Sequence, residues 1–138
     1  MRMIRLPSLF FFLLIFHFFG CIPQDTNQDV LFSYEMNITI TAEQTHAGLS
    51  TRNDKIYFGT VPQGATSVRQ IRLTNHAAKQ VRVVFDAQGD IGRYIYIPDS
   101  GTILNPLEER VFIVEARVPQ NASLGSYVGL LKVLLENP

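Results

Sequence analysis

Met36-Asn37-Ile38-Thr39-Ile40-Thr41 alternates apolar and polar side chains one by one. Successive side chains of a β-strand point to opposite faces, so this stretch reads as a strand with one face in a core. The same period recurs beyond it. Lys55 to Val61 is a short strand closed by Pro62-Gln63-Gly64, and Val68 to Thr74 sets Ile71 and Leu73 against Gln70, Arg72 and Thr74. Val81, Val83 and Phe85 alternate with Arg82, Val84 and Asp86. Tyr94-Ile95-Tyr96-Ile97 is aromatic and β-branched and is ended by Pro98. Phe112, Val114, Ala116 and Val118 alternate with Val111, Ile113, Glu115 and Arg117. Tyr127 to Leu135 is apolar on both faces apart from Lys132, which predicts a strand in the middle of a sheet or covered on both sides.

Turn signals separate these runs, among them Asn75 to Lys79, Gln88-Gly89-Asp90, Asp99-Ser100-Gly101, Asn105-Pro106 and Pro119 to Gly125. Seven to eight short strands at this spacing predict an all-β fold, an immunoglobulin-like sandwich of two antiparallel sheets. Gly59, Gly64 and Gly125 are expected where the backbone needs conformations that a Cβ resists. Asn75 is expected to bond its own turn and to tolerate a left-handed backbone.

Residues 1–21 have a different character. Arg2 and Arg5 precede an apolar run from Leu9 to Phe19, and Gly20 is a small residue beside a possible cleavage point. This is the pattern of a signal peptide, whose apolar core forms a short helix. The alternative is an uncleaved helix over residues 6–22 that stays as a single membrane anchor. Residues 22–30 are polar and read as a tether, and residues 31–138 as the folded domain. The 138-residue chain has 12 basic and 12 acidic side chains. Setting residues 1–20 aside removes Arg2 and Arg5, and the remainder carries a formal charge of −2. That balance argues against nucleic acid or an anionic membrane surface as a partner, because both need a basic footprint. Cys21 is the single cysteine, so no internal disulfide is available and the core alone must hold the fold.

Phe18-Phe19-Gly20-Cys21 resembles the lipobox of prokaryotic lipoproteins. The resemblance implies that the Cys21 thiol receives a diacylglyceryl group and that cleavage after Gly20 makes Cys21 the first residue. In the folded part, Ile56 to Gly64 followed by Ile71-Arg72-Leu73-Thr74-Asn75 resembles the opening of hydin-type (ASH) and major-sperm-protein-like domains. Asn105 to Arg110, Val118-Pro119 and Gly125-Ser126-Tyr127 are similar to the closing half of NPCBM-associated surface modules, with Leu107 standing where those modules have Gly. Both resemblances imply an Ig-like sandwich that binds or spaces other components and carries no shared reaction.

Chemistry-bearing patterns are sparse. His46 and His76 fall in separate predicted loops without the neighbours a metal site needs, so neither metal nor cofactor is expected. There is no Gly-x-Ser-x-Gly motif, and Gly59 to Gly64 lacks the Lys-Ser/Thr of a phosphate-binding loop. Asn37-Ile38-Thr39 and Asn121-Ala122-Ser123 are glycosylation sequons, Asn121 in a loop and Asn37 on a strand. Arg69, Arg72 and Arg82 are candidates for a basic strip on one sheet face.

The expectation is therefore a non-catalytic, exported module, facing outward from the cell membrane. The membrane holds it through an N-terminal lipid or an uncleaved helix, and its partner is an envelope protein or glycan. Two alternatives stand beside it: a subunit of a larger β assembly that donates residues 22–35 as a strand, and a small exported enzyme or metal binder using His46 and His76.

Overall fold

The structure, a computed structural model, describes residues 29–43 and 55–138, with side chains from Leu31 onward. Cys21, Gly20 and His46 lie outside the described residues, as does the expected signal helix. Eight strands follow in order: β1 (Asp29–Thr41), β2 (Lys55–Pro62), β3 (Thr66–Thr74), β4 (Val81–Gly89), β5 (Ile95–Tyr96), β6 (Thr102–Leu104), β7 (Glu109–Arg117) and β8 (Gly125–Glu136). They form a five-stranded sheet in the order β2-β1-β8-β4-β6 and a three-stranded sheet in the order β3-β7-β5. β1 starts at Asp29, inside the stretch read as tether.

The alternation in the sequence is the reason for the packing. Met36, Ile38 and Ile40 on β1, Val83 on β4, and Leu131 and Val133 on β8 all face inward and are buried. Ile71, Phe112 and Val114 face them from the smaller sheet, and Phe85 meets Phe112 edge-on between the sheets at 5.0 Å. A fully buried side chain of this kind contributes roughly 1.5–3 kcal/mol. The core therefore closes without a disulfide. Among the described residues, every buried side-chain nitrogen or oxygen has a hydrogen-bond partner.

β8, the strand apolar on both faces, is central, between β1 and β4. One pairing differs from the expected pair of antiparallel sheets: β1 runs parallel to β2 and antiparallel to β8. A parallel neighbour needs a crossover connection. Residues 42–54 supply one long enough, and their length hides the pairing from any local reading of the sequence. The segment 94–97 also differs from expectation. A 3-10 turn occupies Gly92–Tyr94, and only Ile95–Tyr96 pair, with Ala116 and Glu115. Tyr94 turns inward and is buried, with its ring edge-on to Tyr127.

Gly59, Gly64 and Gly125 all have positive φ, at 76°, 78° and 142°. Asn75 does not; the non-glycine residue with positive φ among those described is Leu107, at 63°.

Candidate interaction surfaces

The starts of β1, β4 and β7 and the ends of β3, β6 and β8 gather at one pole of the domain. Asn75 organises that pole. Its Nδ2 donates to the carbonyls of Lys79, Leu104 and Asn105 at 2.9, 3.1 and 3.0 Å. Its Oδ1 accepts from the Ala77 amide at 2.9 Å, its own amide donates to Glu108 O at 2.9 Å, and its carbonyl accepts from Leu107 N at 2.7 Å. One buried amide thus ties the β3–β4 loop to the β6–β7 loop. The second loop is closed further by the Glu108 carboxylate, which accepts from the amide and Nδ2 of Asn105 at 2.8 and 2.9 Å. In that turn, Leu107 is pushed outward with 76% of its surface exposed.

Beside Asn75 is an apolar cavity of about 220 Å³, lined by Leu31, Phe32, Leu73, Val81, Leu104 and Leu135. His76 lies on its rim and is exposed. Leu31 is the extra residue of a bulge between Val30 and Phe32 in the pairing with β8. The bulge leaves Leu31 and Phe32 45% and 49% exposed.

A second surface is the outer face of the five-stranded sheet. Asn37 on β1 pairs with Val128 on β8 and with Tyr57 on β2. Together with Leu130 and the Lys55–Glu35 ion pair they form a groove of about 350 Å³. Val128 is 64% exposed there. Of the two sequons, Asn37 is half-buried on this central strand. Asn121 is exposed in a loop whose neighbour Ala122 is buried and hydrogen-bonded to Pro119 and Gln63.

The three arginines do not form a strip. Arg69 shares the inward face of β3 with Ile71 and Leu73, and its Nε donates to Tyr57 O on β2 at 2.6 Å. Arg72 is on the opposite face of that strand, paired with Glu109 at 3.1 Å. Arg82 lies on the outer side of the other sheet. Ser67, two residues before Arg69, donates to Phe58 O at 3.0 Å. These two side chains cover carbonyls of β2, an edge strand that would otherwise be free to pair with another chain.

His76 has no histidine beside it in the described structure. Among the described residues no group of three or more His, Cys, Asp or Glu comes together to hold a metal ion. No helix among them is long and apolar enough to cross a membrane. The exposed apolar residues Leu31, Phe32 and Leu107 carry no sequence motif; only the departure from Gly at position 107 marked one of them.

Comparison with known protein families, curated proteins and solved structures finds no match for the chain.

Proposed function

We propose that the protein is an exported, membrane-tethered Ig-like module that binds or spaces another component of the cell envelope without catalysing a reaction. The observation that carries the binding part is the outer face of the five-stranded sheet, where Val128 and Leu130 stand exposed beside Tyr57 and Asn37. Apolar side chains grouped on a solvated sheet face, edged by polar ones, have the make-up of a protein contact surface.

The strand order supports the Ig-like reading. In an Ig domain one sheet carries strands B, E and D side by side and the other carries C, F and G. Here β3-β7-β5 takes the B-E-D order, β4 beside β8 takes C-F, and β1 stands beside β8 where strand G stands beside F; β6, on the outer side of β4, follows β5 in the chain and has no counterpart in that scheme. The N-terminal strand fills the place of the last one. The alternative of strand donation by residues 22–35 requires residues 29–35 to leave β8 of their own chain. Export and anchoring rest on the basic start, the apolar run Leu9 to Phe19 and the Gly20-Cys21 boundary.

Two experiments test this reading. Cys21→Ser in the full-length protein is expected to move it from the membrane to the soluble envelope fraction; retention means that residues 6–22 remain as a spanning helix. A photo-crosslinking residue at position 128 is expected to give one discrete adduct in intact cells, with none from a control at position 72. Indistinguishable patterns from the two positions would remove the outer face as a binding surface.

A further inference from the structure

The pole organised by Asn75 is also the pole where the chain arrives from its N-terminal segment, because β1 begins there at Asp29. Leu31, Phe32 and Leu107 stand in solvent at this end, over or beside the apolar cavity. Leu107 is the informative one. It holds a left-handed backbone that costs a non-glycine residue about 1–2 kcal/mol, and it spends that strain on a side chain left 76% exposed. The backbone conformation serves the turn through the bond from the Leu107 amide to the Asn75 carbonyl, but the exposed apolar side chain adds nothing to the fold. A strained, exposed, apolar residue is an observation from which a role can be inferred.

We propose that this pole is seated on the membrane that anchors the chain, with Phe32 and Leu107 inserted at the level of the lipid headgroups and upper acyl chains. The proposal rests on the anchored reading above. Chain length supports lipid as the occupant. Residues 22–28 number seven, so even fully extended they span at most ~25 Å from anchor to β1. The first part of the domain within their reach is this pole. The opposite pole, with the Pro119–Leu124 loop, is a further strand length away, roughly 30 Å for a nine-residue strand such as β7. Exposed Lys79, whose Nζ donates to Asn137, lies in the β3–β4 loop at the same end, where a cation suits headgroup phosphates. Seating would hold the sandwich upright and turn the outer sheet face sideways to its partner.

The chain contains no Trp, so a single substitution gives a clean fluorophore. Phe32→Trp, Leu107→Trp and Leu124→Trp are made in the full-length protein, Leu124 being 57% exposed at the far pole. Each is incorporated into phosphatidylethanolamine–phosphatidylglycerol vesicles carrying headgroup nitroxide lipid. Side chains buried at the headgroup–acyl boundary are expected to lose about half their emission or more, with Leu124→Trp unchanged. Phe32→Trp keeps an aromatic ring on an extended strand, so the test does not depend on position 107 alone. If the protein floats with the vesicles and all three emit alike, seating is overturned and anchoring stands. Blue-shifted but unquenched emission at 32 and 107 means that protein covers the pole, either the tether or a second copy, and overturns seating as well. A chain that does not float overturns both readings.

Discussion

The amide of Leu107 donates to the carbonyl of Asn75 at 2.7 Å, and this bond holds Leu107 at a φ of 63°. Leu107→Gly is expected to stabilise the protein. Relief of the left-handed strain is worth about 1–2 kcal/mol, and the freer unfolded chain of a Gly variant takes back roughly 0.5–1. The net gain of about 0.5–1 kcal/mol appears as a melting temperature higher by ~2–6 °C in a thermal melt.

Asn75 works through its amide donors. Asn75→Asp places a carboxylate against the carbonyls of Lys79, Leu104 and Asn105, none of which can donate to it. The expected loss is about 3 kcal/mol or more at neutral pH, read from the urea midpoint. The loss should shrink as the pH falls and the carboxyl regains a proton to donate. A penalty that does not change with pH would place the damage in the turn geometry instead.

Arg69 covers the edge of β2. Arg69→Leu leaves Tyr57 O without its donor and uncovers the strand edge. A cost of roughly 1–3 kcal/mol is expected, together with association that grows with protein concentration in sedimentation. Arg72→Leu, which removes only an exposed ion pair, should leave the protein in its wild-type association state.

Two tyrosines set an alkaline limit. Burial raises the pKa of Tyr94 above its usual 10.0, its hydrogen bond to Tyr127 adds to the shift, and Arg93 opposes it. Burial also raises Tyr34. The folded state therefore binds these phenolic protons more tightly than the unfolded chain does. Their contribution to stability is complete below about pH 10 and is lost as pH rises through the folded values. Urea midpoints measured from about pH 9 upward should hold and then fall. Tyr94→Phe should remove part of that fall.

The strands were legible because one face of each is buried, which writes the period of two into the residues. That period also held the answer for Arg69. Position 69 has the parity of Ile71 and Leu73, so it faces inward, whereas Arg72 does not. Grouping the arginines by charge passed over the parity. The Asn75 turn was legible as far as its bond to Ala77, two residues on. Its bonds to Leu104 and Asn105 were not, because they depend on where a distant loop comes to lie. Gly129 was hidden for the same reason. Within β8 it reads as a gap in an apolar run, but it sits opposite Gly89, and a Cβ there would collide with the Gln88 carbonyl oxygen.

The pairing of β1 with β8 joins residues from the two ends of the described chain, Asp29 with Leu135 and Ile40 with Gly125. The larger sheet therefore cannot close until synthesis has reached Glu136. Until then Met36, Ile38 and Ile40 have only β2 beside them, and the other edge of β1 is unpaired. Contacts this distant in sequence form slowly. The order of the strands leaves the larger sheet without its central strand until the last one is made, and a chain whose sheet is still incomplete is easier to thread through a translocation channel.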